Sequence, residues 1–320
     1  MLGFCGCSQK AALPAPSVEA PSGSLQAKRV PGQIFSDRLK RGLYGPELVV
    51  IPAGNFKLGA LSGDKAATDA EKPAHVVALD KDFAISRTEI SVAQFGAFIK
   101  HSGFKSFADK SGGSEIFDLA SGKFIQGKGV NWRYNHIGKP TEDDFPVVHV
   151  SFNDATAYVQ WLSLQTGESY RLPTEAEWEY VLRAGSESIF PWGKKIKDVR
   201  KGNLSGERDK FPNGRVWGNA INNYGDSYWG LAPVGQYSSE GFGTFDMLGN
   251  VSEWVEDCWH ENYRRAPGNG EAWVNPGCKQ RVARGSAWLS SADQSRSSFR
   301  MPADADSSNA RLGFRVVREL

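Results

Sequence analysis

The interpretable hydrophobic pattern begins at Leu48. Leu48-Val49-Val50-Ile51 is a short apolar run, Pro52-Ala53-Gly54 reads as a turn, and Asn55 to Gly59 alternates. Two short strands around that turn are predicted. Val76 to Ile85 alternates well enough for another strand. From Glu89 to His101 the apolar positions Ile90, Phe95, Phe98 and Ile99 follow helical spacing, with Thr88 or Ser91 as the cap. Residues 103–141 are polar, Gly-rich and poorly periodic, and read as a long surface excursion. A second helix is better marked: Ser151 to Asp154 offers caps, Ala155, Ala157, Tyr158, Trp161 and Leu162 form its buried stripe, and Gly167 stops it. A third begins at Thr174, with Glu177 three residues later as the capping-box partner, and ends at Ala184-Gly185. Beyond it Gly or Pro recurs every few residues to the C-terminus, which predicts loops and short strands. No internal repeat of fixed period is present.

Composition narrows the class. The 320 residues are 40% hydrophobic and 23% charged, with 38 basic against 36 acidic side chains. A net charge of +2 supplies no basic field for a phosphate backbone, so nucleic-acid binding is disfavoured. No run approaches the roughly 18–20 apolar residues of a membrane-spanning helix. The 35 Gly, 16 Pro and 10 Trp imply many turns and a core of large aromatic bodies, which argues against a helix bundle or a repetitive α/β sheet. His75, His101, His136, His149 and His260 show no ligand spacing, so zinc is not expected, and His149 reads as a core histidine. The length allows one large domain or two ordinary ones.

At the N-terminus, Phe4-Cys5-Gly6-Cys7-Ser8 reads like the end of a bacterial lipoprotein signal with Cys7 as the lipidated residue. Ala, Pro and Ser dominate from Ala11 to Leu25, which is tether composition. No proper apolar h-region precedes Cys5. The alternative is a disordered arm with two incidental thiols. Either way, residues 1–40 are expected as an export remnant and tether, and residues 41–320 as the domain.

Val50-Ile51-Pro52-Ala53-Gly54, Phe145 to Ser151, Arg171 to Glu179, Asp246-Met247-Leu248-Gly249-Asn250-Val251-Ser252-Glu253-Trp254 and Leu312-Gly313-Phe314-Arg315 occur in this order. Together they resemble the formylglycine-generating-enzyme, or sulfatase-modifying-factor, family from about Leu48 to Leu320. The resemblance implies one compact α+β domain, a variant of the C-type-lectin fold with little regular secondary structure. Oxidase members use two cysteines five positions apart, and a thiolate is needed because soft sulfur holds copper(I). Ser290 and Ser295 stand at those positions, so neither copper nor formylglycine-generating activity is expected. The resemblance further implies a structural disulfide between Cys258 and Cys278 rather than a catalytic or metal-binding thiol pair. It also implies two calcium sites. In the first, Asn203 and Asp226 give side-chain oxygens and Leu204 and Tyr228 carbonyls. In the second, Asp246 and Glu253 give carboxylates and Gly249 and Val251 carbonyls. Such hard oxygen sets on loops suit calcium. Taken one by one, the same residues also read as Asx-turns or surface carboxylates. Arg315 reads as structural, whereas Arg296 and Arg300 are candidates for a binding surface.

Three functions are weighed. The first is a noncatalytic, exported protein with a regulatory role, located in the periplasm or at the outer membrane. Its partner would be another envelope protein, as for the family's type VI secretion regulator acting upstream of a membrane Thr kinase. The second is a cysteine-independent periplasmic enzyme of the pyoverdine-maturation type. The third, a retroelement-diversified display protein, ranks last because Ser286 to Asn309 contains a single Asn.

Overall fold

The computed structural model describes residues 29–40, 42–193, 202–211 and 213–320. Its first sheet joins β1 (Ile34–Phe35), β2 (Leu48–Ile51) and β5 (Phe83–Ser86) at one side. A hairpin of β3 (Gly54–Leu58) and β4 (His75–Leu79) lies between β2 and β5 in sequence. The expected strand from Val76 to Ile85 is therefore two strands, broken at Asp80-Lys81-Asp82 where three consecutive charged side chains end the alternation. The tether expected through residue 40 also needs correction from Arg29 onward. Phe35 pairs with Leu48, Leu39 is buried, and the Asp37 carboxylate accepts bonds from Tyr170 Oη at 2.7 Å and Arg318 Nε at 2.9 Å. Cys5, Cys7 and the rest of the arm lie outside the described residues.

Local chemistry sets the helices. In α1 (Val92–Ser102) the Ser91 hydroxyl accepts from Gln94 N, and Gly103 closes the helix at φ 68°. The segment 103–141, expected to be irregular, contains a short helix α2 (Phe107–Ser111) and a hairpin of β6 (Gly113–Asp118) and β7 (Lys123–Lys128). Its turn is held by the Asp118 carboxylate, which accepts from Ala120 N and Ser121 N. Helix α3 (Phe152–Thr166) has the expected bounds, with Ser151 as cap and Gly167 as stop. After β8 (Tyr170–Arg171), α4 (Glu175–Arg183) starts at Thr174, whose hydroxyl accepts from Glu177 N at 3.1 Å. All nine residues of α4 are buried, the four charged ones included, so its charges must be matched from within the fold.

The second sheet takes its strands from the C-terminal third: β9 (Ser252–Cys258), β10 (Gln280–Arg284), β11 (Arg300–Asp304) and β12 (Leu312–Phe314), in the order β11-β10-β9-β12. β13 (Val317–Glu319) then returns to the first sheet between β5 and β8. Arg315 sits at that crossing from one sheet to the other. An aromatic core of Phe95, Phe98, Tyr158, Trp161, Trp254 and Phe314 fills the space against α1 and α3, and a second around Trp178, Phe83 and Met247 packs on α4. The result is a mixed α/β domain with few helices and many short strands. Among the described residues no helix is long and apolar enough to cross a membrane.

Candidate functional site

Gly285 follows the last residue of β10 at φ 75°, and an added Cβ there would lie 3.1 Å from both the Met247 carbonyl and the Trp178 ring. The chain then coils through Ser286–Phe299 before β11. Ser290 lines a cleft of about 250 Å³ together with Ser252, Gln294, Ser307, Asn309 and Arg311. The Ser290 Oγ accepts from Ala287 N at 3.0 Å, and its carbonyl accepts from Ser205 Oγ at 2.8 Å. Ser295 is not part of the lining: it is 0% exposed, and its Oγ donates to the Ser291 carbonyl at 2.8 Å. Neither hydroxyl is bonded to a base, so neither is activated as a nucleophile. Arg311, at the cleft wall, pairs with Glu115 at 2.5 Å and lies over the Phe124 ring. The rest of the lining is apolar, including Leu289, Phe299, Met301, Pro302 and Leu312, so the cleft sets hydrogen-bonding groups against a hydrophobic wall, with no histidine or cysteine in its lining.

Arg296 and Arg300 do not belong to a binding surface. Both are 3% exposed. Arg296 grips Glu71 through Nη1 at 2.5 Å and Nη2 at 2.9 Å and also reaches Asp64. Arg300 forms a bidentate pair with Glu175 at 2.7 and 2.8 Å and donates to the carbonyls of Ala70 and His260. Four charges buried by the α4 region are satisfied this way, which is why these guanidiniums cannot face solvent.

The loops that cross beneath the cleft bring the expected calcium residues together. Asn203 donates from Nδ2 to the Gly230 carbonyl at 2.7 Å and to Asn250 Oδ1 at 3.0 Å, while its Oδ1 is buried without a hydrogen-bond partner. Asp226 accepts from Leu204 N at 2.8 Å and Tyr228 N at 2.9 Å, so all four members of the first set meet. Burial, and then the neighbouring Asp209, push the Asp226 carboxyl up to about 7. An orphaned amide oxygen one residue from the backbone N–H that Asp226 caps fits a hard cation. Each Asp226 oxygen retains a second acceptor site beyond its backbone bond.

The second set fits only in part. Asp246 accepts from Gly235 N at 2.6 Å through Oδ2, and its Oδ1 is buried without a partner. Gly249, at φ 104°, presses on the Asn203 backbone, where any Cβ would approach to 2.5 Å. That contact ties this turn, with Val251 two residues on, to the first set. Glu253, however, is already matched by Arg315, and only its Oε1 keeps a second acceptor position. Its Oε2 accepts from Trp178 Nε1 at 2.8 Å and Arg315 Nε at 2.7 Å, and its Oε1 from Arg315 Nη2 at 2.8 Å. The same turn places Glu89, a residue the sequence pattern assigns to a helix start, in this cluster: it is 0% exposed and receives Asn250 Nδ2 at 3.0 Å. Only its position just before a capped helix, where the chain is still extended, could have flagged it. Among the described residues no group of three or more His, Cys, Asp or Glu side chains forms a metal cage, so a cation here would rely on carbonyl and amide oxygens as well.

Against known proteins, residues 36–320 match the sulfatase-modifying factor enzyme 1-like domain. The chain belongs to this family. The formylglycine-generating enzyme of Streptomyces coelicolor is 32% identical, covering 95% of this chain and 96% of that protein. The inactive Cα-formylglycine-generating enzyme 2 of Bos taurus is 30% identical over 84% of this chain and 87% of its own length. Among solved structures, PvdO from Pseudomonas aeruginosa superposes with a TM-score of 0.73 at 33% identity, covering 92% of this chain and all of that one. Family membership thus spans relatives named as enzymes and relatives named as inactive.

Elsewhere in this sulfatase-modifying-factor domain, Cys258 and Cys278 are joined, with Cα atoms 6.0 Å apart. The bond closes the loop between β9 and β10, worth about 3 kcal/mol in the chain-entropy account. His260 stacks on Trp273 inside that loop at 3.5 Å. His149 meets Ser114 Oγ at 2.9 Å and the Asn135 carbonyl at 3.1 Å, and burial lowers its pKa to about 4, so it is a neutral core group.

Proposed function

We propose that this chain is a noncatalytic binding member of its family, acting in the bacterial periplasm or at the outer membrane as a regulator through contact with another envelope protein. The observation that carries this reading is the pair Ser290 and Ser295, whose hydroxyls are bonded to the backbone and, at Ser295, sealed from solvent. A site without a thiolate or an activated hydroxyl has no group to begin the oxidase chemistry. The cleft beside Ser290, with hydroxyl and amide groups set against the apolar Leu289, Phe299 and Met301, is the surface offered to the partner. Calcium at Asn203, Leu204, Asp226 and Tyr228 would brace the loops that carry this surface, a role in structure rather than chemistry. The finer assignment, regulation of type VI secretion upstream of a membrane Thr kinase with Cys7 as lipid anchor, follows from the family resemblance.

The test has two arms. Incubation with copper(I) and a Cys-containing sulfatase peptide should give neither tight copper binding nor aldehyde; conversion of the peptide would overturn the reading. A photo-crosslinking amino acid at Ser307 should trap one discrete envelope protein in cells, and Asn309→Arg should abolish that adduct.

A second reading is favoured by the full-length likeness to PvdO: a cysteine-independent periplasmic enzyme of the pyoverdine-maturation type. Conversion of a siderophore precursor by the purified chain, with no adduct in cells, would select it.

A further inference from the structure

Exposed apolar side chains are unevenly spread over this domain. Ten large ones are exposed among the described residues, and four of them, Val30, Ile34, Leu43 and Tyr44, fall within residues 30–44. A fifth, Leu164, stands next to Gln165, whose carbonyl accepts from Lys40 N at 3.1 Å. The backbone gathers them on one edge. Asp37 and Leu39 turn inward while Ile34, Arg38 and Lys40 turn outward, the alternation of an extended chain. Tyr44 opposes Arg38 in an antiparallel bridge, so the two side chains share that outer face. Leu39 N bonds the Leu43 carbonyl, which closes the turn that carries Leu43.

The same edge is basic. Its carboxylates are already matched, Asp37 by Arg29 and Arg318, Glu47 by Arg87 and Glu168 by Arg318. Arg38 and Lys40 are exposed, and neither has an ion-pair partner among the described residues. Arg41, outside those residues, adds a third basic side chain in sequence. The chain also enters the fold at this edge. The Arg29 guanidinium lies 3.4 Å over the Phe35 ring and bonds Asp37 at 3.1 Å, which pins the entry against β1. Cys7, the candidate lipid anchor, stands 22 residues before Arg29, a span of at most about 75 Å.

We propose that this edge of the first sheet rests on the surface of an anionic phospholipid bilayer, with Val30, Ile34, Leu43 and Tyr44 set into the interface and Arg38 and Lys40 against phosphate. Exposed apolar groups among unpaired cations are what such a surface takes up: the apolar side chains leave water, and the cations are drawn to the negative headgroups. Tyrosine, apolar in its ring and polar at its tip, suits that depth. A lipid surface also requires no matching shape from side chains that stand on a turn and a strand edge. The inference rests on the envelope location proposed above and adds an orientation to it. The Ser290 cleft shares no lining residue with this edge and is left to the protein partner.

The test uses the full chain carrying Cys7→Ser, which has no thiol to acylate at that position. It is floated with vesicles of phosphatidylethanolamine containing one quarter phosphatidylglycerol, and separately with phosphatidylcholine vesicles. Binding to the anionic vesicles should be at least tenfold tighter, and raised salt should weaken it. Leu43→Asp combined with Tyr44→Asp should lower that affinity at least tenfold while the melting temperature stays at the parent value, because both side chains are already in water. Arg38→Glu with Lys40→Glu should remove the preference for anionic vesicles. Val274→Asp, which changes an exposed apolar side chain elsewhere, should bind as the parent does. A folded parent that does not float with anionic vesicles, or an affinity that the Leu43 and Tyr44 variant leaves unchanged or shares with Val274→Asp, would overturn the proposal and leave this edge to a protein partner. The mass of the wild-type chain extracted from cell membranes reads acylation of Cys7 separately, so failure of the anchor reading and failure of this one are distinguishable.

Discussion

Two groups of buried carboxylates lie in this domain, and they are treated in opposite ways. Around α4 each is met by arginine: Glu175 by Arg300, Glu179 by Arg284 and Arg183, Glu71 by Arg296. Burial alone would raise Glu175 and Glu71, but the arginines more than reverse it and both lie below the usual carboxylate range. Where the loops cross at Asn250, Asp226 and Asp246 are buried as deeply without an arginine of their own. Burial pushes them up to about 7 and about 6. Equal burial with opposite proton affinity shows that the first group is complete within the chain. The second has no arginine of its own, and its carboxyls hold their protons more tightly instead.

Removing a carboxylate from the first group should therefore have the largest effect. Glu179→Ala would leave Arg284 fully buried without its 2.5 Å partner and strip Arg183 of its 2.7 Å one. Breaking a buried pair from one side costs about 3–5 kcal/mol. Urea unfolding should show a loss of that size, and pairing Glu179→Leu with Arg284→Met should recover much of it. A loss under about 1 kcal/mol would mean that the α4 network is not closed as described.

The arginine-matched group is also where sequence and structure part most clearly. Arg296 and Arg300, among serines without apolar periodicity, read as exposed, because nothing nearby reveals their partners. Glu71 is 225 residues from Arg296, and Glu175 is 125 from Arg300. Pairings at that range are decided by packing, not by local pattern. What was legible was local: the caps at Ser91, Ser151 and Thr174 depend on bonds across three residues, and the helices begin there. The hairpin of β6 and β7 escaped notice because its turn uses an Asp118 side-chain cap instead of an Asn-Gly pair, and its strands alternate weakly. The serines at 290 and 295 and the Asn203 and Asp226 pair stood in family motifs and were readable. Glu89 was not, since one carboxylate before a helix looks like any other.

A middle-sized effect should come from the second group, and its sign should depend on calcium. Asp226→Asn removes a charge that the chain leaves unmatched. In chelator it should be neutral or mildly stabilising. With calcium at about a hundred times the dissociation constant, the wild type should gain about 2.7 kcal/mol through binding and the variant should not. Thermal melts of both proteins with and without calcium would show this. A variant destabilised to the same extent in both conditions would make Asp226 a plain structural acceptor and erase the distinction between the two groups.

Asp257 tests whether arginine or the backbone decides. It sits among the arginines but has none of its own, and instead accepts from Glu175 N at 2.7 Å and Trp273 N at 2.8 Å. Burial, then the charge of Glu175, raise it to about 7, against about 3.9 for an unfolded aspartate. The folded chain thus holds a proton that the unfolded chain releases between those values. Its contribution to stability is full below about pH 4 and is lost as pH rises through about 7. Asp226 and Asp246 titrate in the same range in both proteins, so the share of Asp257 is the extra fall in wild-type stability between about pH 5.5 and 6.5. For one group that fall is at most about 1.4 kcal/mol per pH unit. Asp257→Asn loses one of the two backbone bonds and so starts lower, but its stability over that interval should be flatter. Equal slopes in the two proteins would show that the two backbone N–H groups keep Asp257 ionised, and that a buried carboxylate here can do without an arginine.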